Sequence, residues 1–494
     1  MVSRVVSRFD APDVEALLNA RSYPVAERVV GEGVFEAEAD APLLEYRRTV
    51  TFDGARAVQT ATFRLALPYF AWVFIPFFRH ALRRPARDRP SWWLPPDRFD
   101  ARATTVLGTL CAAAVLFGYI NTLFNQTIAF AADEFHANNA AQGVAGGFVR
   151  AGGVLAFVIV ATADRRGRRP VILAAGAAGC LLSLTGAVAP SLPWLTGSQV
   201  LTQGCAYGLF ILLPVLAVEE LPAGSRAYAV GLLAMAAALG AGVSVVALRL
   251  ADIAVWGWRL VYVIPVFGLL LLPGIRKRLP ESKRFEAPHV EAPLRGHGRR
   301  LWLLAAAGFL LNLFVAPDAQ FGNRFLKHER HYTGGGIAVL SIVSGTPGVI
   351  GIIVGGLLAD RRGRKPVAFV ALTLGTVLAV AFYFASGASM WLWAIVSNIV
   401  TAAEIPALGV YGPELFPTSL RGTANGMTFL VALAGSVGGL LAVGALSDRF
   451  GSIGPAMAIV GIGPMLLAFL VAFAFPETAR RELEDINPED RRPP

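Results

Sequence analysis

From about residue 103 the chain alternates long apolar runs with short polar ones. The runs predict helices over 103–124, 141–162, 170–189, 195–217, 227–249 and 259–274, then 301–321, 334–357, 366–386, 389–411, 423–446 and 454–475. A bilayer crossing needs roughly 20 apolar residues, and most of these runs supply them. The pattern predicts an all-α membrane protein with twelve spanning helices in two six-helix halves, 101–274 and 301–476. A polar loop over 275–300 joins the halves, and a polar tail covers 477–494. Gly and Ala are frequent within the runs, and small residues let helix backbones approach closely in a membrane.

Residues 1–100 follow another pattern. A short helix is expected over 10–19, and strands over 33–39, 43–52 and 56–66, with Asp53-Gly54 as a hairpin turn. The apolar stretch 65–78 is broken by Pro68 and Pro76 and is too short to span. Arg79, His80, Arg83, Arg84, Arg87 and Arg89 follow it. An aromatic apolar segment beside a basic run suits an extension lying on the inner membrane surface; a buried strand or an extra span are the alternatives. The opening MVSRVVSRFD lacks the apolar core of a signal peptide, so the first spanning helix is expected to direct insertion.

Composition agrees with the pattern. The chain is 55% hydrophobic and 16% charged with mean hydropathy +0.56, against about 25% charged residues in soluble domains. The net charge of +10 gathers in short loops rather than in a basic stripe with aromatics, so it reads as a topology signal and not as nucleic-acid binding. Arg165, Arg166, Arg168, Arg169, Arg276, Lys277, Arg278, Arg361, Arg362, Arg364 and Lys365 share one side. This places both termini in the cytoplasm of a multi-pass protein of the cytoplasmic membrane. Cys111, Cys180 and Cys205 lie inside apolar runs as buried hydrophobes, and the histidines lack metal-ligand spacing. Neither metal nor cofactor is expected.

The halves repeat. Ala163-Asp164-Arg165-Arg166-Gly167-Arg168-Arg169-Pro170 returns within Gly356-Leu357-Leu358-Ala359-Asp360-Arg361-Arg362-Gly363-Arg364-Lys365-Pro366, with Asp164 and Asp360 separated by 196 residues. Glu219-Glu220-Leu221-Pro222 before Arg226 returns as Pro413-Glu414-Leu415-Phe416-Pro417 before Arg421, at a spacing of 195. Glu281 in PESKR and Glu477 in PETARRELED are again 196 apart. A duplicated six-helix unit, related by an axis along the membrane normal, accounts for three landmarks on one offset.

With Trp256-Gly257-Trp258-Arg259 before helix 6, these motifs resemble the major facilitator superfamily, most closely its sugar-porter and metabolite–proton symporter branches. The resemblance covers residues 100–490. It implies two halves rocking about a central site, with cytoplasmic motifs latching the outward-open state. Asp164, Arg165, Gly167, Arg168, Glu220, Arg226, Glu281 and Arg284 would serve in the first half. Gly356, Asp360, Arg361, Gly363, Arg364, Glu414, Arg421 and Glu477 would serve in the second. Carboxylates favour helix N-termini and Arg forks hold carboxylates, so the chemistry suits a latch; helix capping alone is the simpler account. The chain departs from the family at four places. Val160 stands where the second copy has Gly356, and Val200 where relatives often carry Arg. Asn121 follows Gly118-Tyr119 where symporters carry an Asp, and helix 7 lacks the Gln pair of sugar porters.

Ionisable residues inside the membrane are costly and therefore functional candidates. Glu404 lies ten residues before Glu414, near the midplane, and Pro406 loosens its helix. It is the candidate proton-coupling site. Arg150, placed in the outer third of helix 2, is a candidate for an anionic substrate unless it snorkels. Asp318 is expected at the outer interface. Tyr119, Asn121, Asn125, Gln126, Gln203, Asn312, Asn398 and Tyr411 are cavity candidates, although each alone is equally suited to a helix–helix hydrogen bond. The expected activity is secondary transport of a small polar metabolite, with an organic anion favoured by Arg150 and with proton coupling. The partners are that substrate, the proton and the bilayer, for a monomer. The rivals are an uncoupled facilitator, an exporter and a transporter-like receptor; no nucleophile, metal cluster or phosphate loop marks an enzyme.

Overall fold

The computed structural model describes residues 2–9, 17–53, 56–84, 94–95, 97–222, 225–281, 297–409, 411, 415–416 and 421–478. Among them, twelve helices are long and apolar enough to cross a membrane. They are spans 1 to 6, Ala101–Glu134, Asn139–Ala163, Arg168–Ala187, Leu192–Ala217, Tyr228–Asp252 and Trp258–Arg278. Spans 7 to 12 are Gly298–His328, Gly334–Gly356, Arg364–Phe384, Gly387–Gly409, Gly426–Phe450 and Ile453–Ala474. Several outrun the apolar run that announced them. Span 1 continues to Glu134, and span 7 begins at Gly298 and ends at His328, because helical hydrogen bonding continues into polar sequence at both membrane faces.

Backbone proximity sets the packing of each half. A Cβ on Gly118 would stand 1.8 Å from the Ala237 carbonyl, and one on Gly240 1.9 Å from that of Val115. Spans 1 and 5 therefore touch through their backbones. Gly435, which is 195 residues after Gly240, does the same for spans 7 and 11 against the Phe309 carbonyl, at 2.3 Å. The helix 2–helix 4 contact is duplicated with its partners exchanged. In the first half Gly204 and Gly208 of span 4 receive Leu155 and Ile159 of span 2, at 2.8 and 2.7 Å from the missing Cβ. In the second half the glycines are Gly351 and Gly355 of span 8, and they receive Ile399 and Ala403 of span 10. Gly356 has only Pro406 at 3.7 Å. Space there does not require glycine, which explains why Val160 fits in the first copy.

The N-terminal extension is a five-stranded antiparallel sheet in the order β1-β5-β4-β3-β2. The strands are β1 Ser3–Phe9, β2 Glu27–Gly31, β3 Val34–Ala37, β4 Leu43–Asp53 and β5 Arg56–Leu65. The last three match the expected strands, and Asp53 pairs with Arg56 across the hairpin. The first two have no alternating apolar signal. β2 exposes Val29 and Val30 and buries Glu27, which inverts the usual pattern. Glu27 accepts from Tyr46 Oη at 2.5 Å, from Arg48 Nε at 2.8 Å and from the Arg21 amide at 3.0 Å. That set of donors answers its burial. Burial, then the charge of Glu27, pushes the Tyr46 hydroxyl well above its ordinary range, so it remains a donor. Of the expected helix over 10–19, Leu17, Leu18 and Asn19 are described; the two leucines are helical and Asn19 forms a bend.

Residues 71–82 form a helix, not a strand or a span. Phe78 and Leu82 are buried against the sheet. The terminal carbonyls of Leu82 and Arg84 accept from Gln59 Nε2 at 2.7 Å and from Arg21 Nη2 at 2.8 Å, which satisfies a helix end that lacks intrahelical donors. The sheet unit docks on the first half alone in its described polar contacts. Thr105 Oγ1 donates to the Ala66 carbonyl at 2.9 Å, Tyr69 Oη to that of Leu271 at 3.4 Å, and the Asp97 amide to Ser225 Oγ at 2.8 Å.

Gly240→Val should lower the thermal stability of the purified protein by the equivalent of about 1–3 kcal/mol, the usual cost of overpacking. Gly231→Ala, where nothing lies within 4 Å of a Cβ, should leave it unchanged; a fluorescence melting series compares the two.

Candidate functional site

The repeated turns have identical construction. Gly167 and Gly363 adopt φ of 95° and 101°, a region that favours glycine. A Cβ at either would also stand 2.8 Å from the carboxylate seated beside it, that of Glu281 or Glu477. Those carboxylates cap the next helix: Arg168 N donates to Glu281 at 2.7 Å, and Arg364 N to Glu477 at 3.1 Å. Arg168 pairs with Glu219, Arg102 with Glu220 at 3.3 Å, and Arg364 Nη1 donates to Thr478 at 2.6 Å. These contacts stay within one half. Arg165 and Arg361 lie at the solvated ends of spans 2 and 8. The side chains of Asp164, Arg226, Asp360 and Arg421, and all of Arg284 and Glu414, lie outside the described residues.

Contacts between the halves gather at the other face. Asp448, near the end of span 11, accepts from the amides of Asn139 and Ala140 at 2.9 and 2.8 Å. Asp252, at the end of span 5, accepts from those of Gly334 and Gly335 at 2.5 and 2.7 Å. Each half thus caps the second helix of the other, and the two aspartates are 196 residues apart. Asp133 of span 1 meets Lys327 at 2.5 Å, His328 at 2.7 Å and Arg324 at 3.4 Å. Gln320 Nε2 donates to the Gln142 carbonyl at 2.9 Å, and Asn323 Nδ2 to Gln126 Oε1 at 2.8 Å. Backbones close in as well: a Cβ on Gly143 would stand 2.3 Å from the Leu440 carbonyl. On the basic-loop side the pattern reverses. Leu155–Arg166 and Gly348–Arg362, the basic-side parts of helices 2 and 8, pack mainly on helices of their own half. Among the described residues the polar contacts between the halves lie at one face, and toward the basic loops the halves meet through apolar groups such as Phe157 and Phe429, with ring centroids 6.3 Å apart.

Between them lies the candidate site. Arg150 is the twelfth residue of the 25 in span 2, so it sits at mid-span and not in the outer third. A 3₁₀ turn at Gly152–Val154 follows it. Its Nη1 donates to Tyr207 Oη at 2.9 Å, and the Tyr207 ring stands edge-on to Phe429 of the other half, centroids 5.4 Å apart. Arg150 therefore points to the junction of the halves and does not snorkel. Among the described residues no carboxylate lies within ion-pair distance of it. On span 1, Asn121, Thr122, Asn125 and Gln126 keep partial exposure on an otherwise buried segment, a helical stripe toward the same space. Asn121 accepts from Gln203 Nε2 at 2.6 Å.

A profile of the Major Facilitator Superfamily matches residues 110–431 and 320–493. The chain belongs to this superfamily. A probable 4-methylmuconolactone transporter of Cupriavidus pinatubonensis is 25% identical over 67% of this chain and 80% of its own length. A citrate–proton symporter of Klebsiella pneumoniae is 27% identical over 40% of this chain and 48% of its own. The fold is also that of a bacterial homologue of the human lysosomal transporter Spinster, solved in an inward-facing, unoccupied conformation. Its TM-score is 0.64 at 17% identity, over 80% of this chain and 99% of that one. This major facilitator protein is a multi-pass secondary transporter and not an enzyme.

Several expected site residues change place within the transporter. Asp318 is not interfacial. It lies ten residues inside the end of span 7, in a polar pocket with Ser341, Ser344, Ser397 and Asn398, and accepts from Tyr383 Oη at 2.7 Å. Tyr119 is buried and donates to the Val261 carbonyl at 2.8 Å, so it ties span 1 to span 6 and does not face the cavity. Tyr411 is buried edge-on to Phe475 in the core at the basic end of the second half. Asn312 is taken up by the Gly308 carbonyl and by Ser436 Oγ, and Asn398 by the Ala394 carbonyl. Glu404 opens a separate short helix, Glu404–Gly409, after a break at Ala403. Pro406 has no N–H for the Ala402 carbonyl, which accounts for the break. Glu404 is half-buried and makes no hydrogen bond or ion pair among the described residues. Asp252 and Asp448 went unnoticed in the sequence, although their 196-residue spacing is the signal that identifies them.

Asp252→Ala with Asp448→Ala should unseal this face. Each lost cap is worth about 0.5–2 kcal/mol, so a Ser344→Cys probe behind the seal should react with an impermeant thiol reagent at least several-fold faster. Unchanged labelling would remove the caps from the gate.

Proposed function

We infer that this transporter carries a small organic anion and couples its movement to protons. One observation carries the substrate class: Arg150 holds a permanent charge at mid-span, turned to the junction of the halves, with only the Tyr207 hydroxyl on it among the described residues. A half-buried cation at mid-span with no counter-ion among the described residues is expensive, and a substrate carboxylate with planar, bidentate geometry answers it. Asn125 and the Asn121–Gln203 pair line the path with neutral polar groups. Glu404 is the coupling carboxylate in this reading. It stands at a helix break without a partner among the described residues, where taking up a proton costs none of the described hydrogen bonds.

The basic loops face the cytoplasm in this reading, as the distribution of Arg and Lys supports. The protein then works as a monomer in the cytoplasmic membrane with both termini inside, and the face closed by the carboxylate caps is the outer one. The solvated carboxylate caps on the outer face are weak enough singly to break once per cycle. In the outward-open state the turn motifs, with Asp164, Asp360, Arg226 and Arg421, take over as the inner latch.

Uptake of small organic acids into proteoliposomes under an imposed pH gradient tests both parts. Arg150→Gln should lower kcat/KM for the transported acid about 10- to 100-fold, the scale of a lost charge-assisted contact, and Arg150→Lys should recover part of it. Glu404→Gln should abolish gradient-driven accumulation and leave exchange intact. Accumulation that ignores the gradient in the wild type would make the protein a facilitator. An Arg150→Gln protein with unaltered kinetics would end the anion reading.

A further inference from the structure

The helix over Ala71–Leu82 buries one face in the sheet and exposes the other. Trp72 is 71% exposed. On the same outer face Arg79 and Arg83 are exposed, as is Arg84 just past the helix end. Trp72, Pro76, Arg79 and Arg83 stand at intervals of four, three and four residues, which places them along one stripe of a helix. A folded domain in water gains nothing by presenting such a tryptophan beside three cations.

The position of the helix says what covers this face. Its entry strand is bolted to the membrane helices: the Ala66 carbonyl to Thr105 in the first turns of span 1, and Tyr69 Oη to the Leu271 carbonyl and Arg278 Nη1 in the last turns of span 6. The first turn of the helix therefore begins where the hydrocarbon of the bilayer ends. Trp belongs at that depth, and arginines beyond it lie at the level of lipid phosphates, for which guanidinium is a bidentate partner.

We propose that this face docks on the membrane, with Trp72 in the interfacial layer and Arg79, Arg83 and Arg84 on the headgroups of anionic phospholipids. The sheet unit becomes a clamp between the lipid surface and spans 1 and 6. The first half is held to the surface while the second moves, so the transport rate depends on the anionic lipid content of the bilayer.

Spin labels on the full chain test this, since Cys111, Cys180 and Cys205 are buried. A label at Trp72→Cys in bilayers containing phosphatidylglycerol should collide more with oxygen than with a water-soluble nickel chelate. A label at Val29→Cys, exposed on the far strand of the sheet, should do the opposite. In pure phosphatidylcholine, or in the triple variant Arg79→Gln, Arg83→Gln, Arg84→Gln, the membrane signature at position 72 should fall several-fold while the Val29 label stays unchanged. A Trp72→Cys label as water-exposed as the one at Val29 would overturn the docking. A membrane signature independent of lipid charge and of the three arginines would overturn the headgroup contact.

Discussion

Two pairs of backbone amides facing two carboxylates close this protein at one face. Asp252 and Asp448 each take the bare N-terminus of a helix in the other half, where the helix dipole and unpaired N–H groups favour an anion. A covalent or fully buried tie would hold too well for a machine that has to open there. Solvated caps, repeated by symmetry, hold through number and yield one at a time. Asp133 with its three cations and the backbone contact at Gly143 complete the seal.

The same asymmetry explains the economy of charge within the membrane. Arg150 is half-buried at mid-span with one hydroxyl as its partner among the described residues, a costly place for a residue whose task is only to support the fold. Several polar groups elsewhere in the spans are satisfied: Tyr119 by a carbonyl of span 6, Asn312 by its own helix and Ser436, and Asp318 by Tyr383. In the proposed reading, Arg150 and Glu404 are the groups that a solute and a proton complete.

The extension is a separate solution to a separate constraint. Its sheet surrounds a buried Glu27–Arg48–Tyr46 cluster, and its helix ends are tied by Arg21 and Gln59. Its described polar contacts with the membrane unit involve the first half only. A domain attached to one of two moving bodies leaves their relative motion free.

Much of this was legible in the sequence because a bilayer allows few answers. Apolar run length fixed twelve spans, and Gly363 with Pro366 and Gly167 with Pro170 fixed the turns, because only glycine adopts that φ beside a seated carboxylate. The 196-residue repeat announced the two halves. Tertiary structure alone decided which polar residues face the cavity, since Tyr119 and Tyr411 read the same as any lining residue until their neighbours are in place. It moved Asp318 from the surface to a pocket, because the end of span 7 depends on helix continuation through polar sequence that hydropathy does not register. It also paired Asp252 and Asp448 with helix ends 82 and 309 residues away. A carboxylate in a loop carries no mark of the amide it will meet; that is set by how the two halves come together.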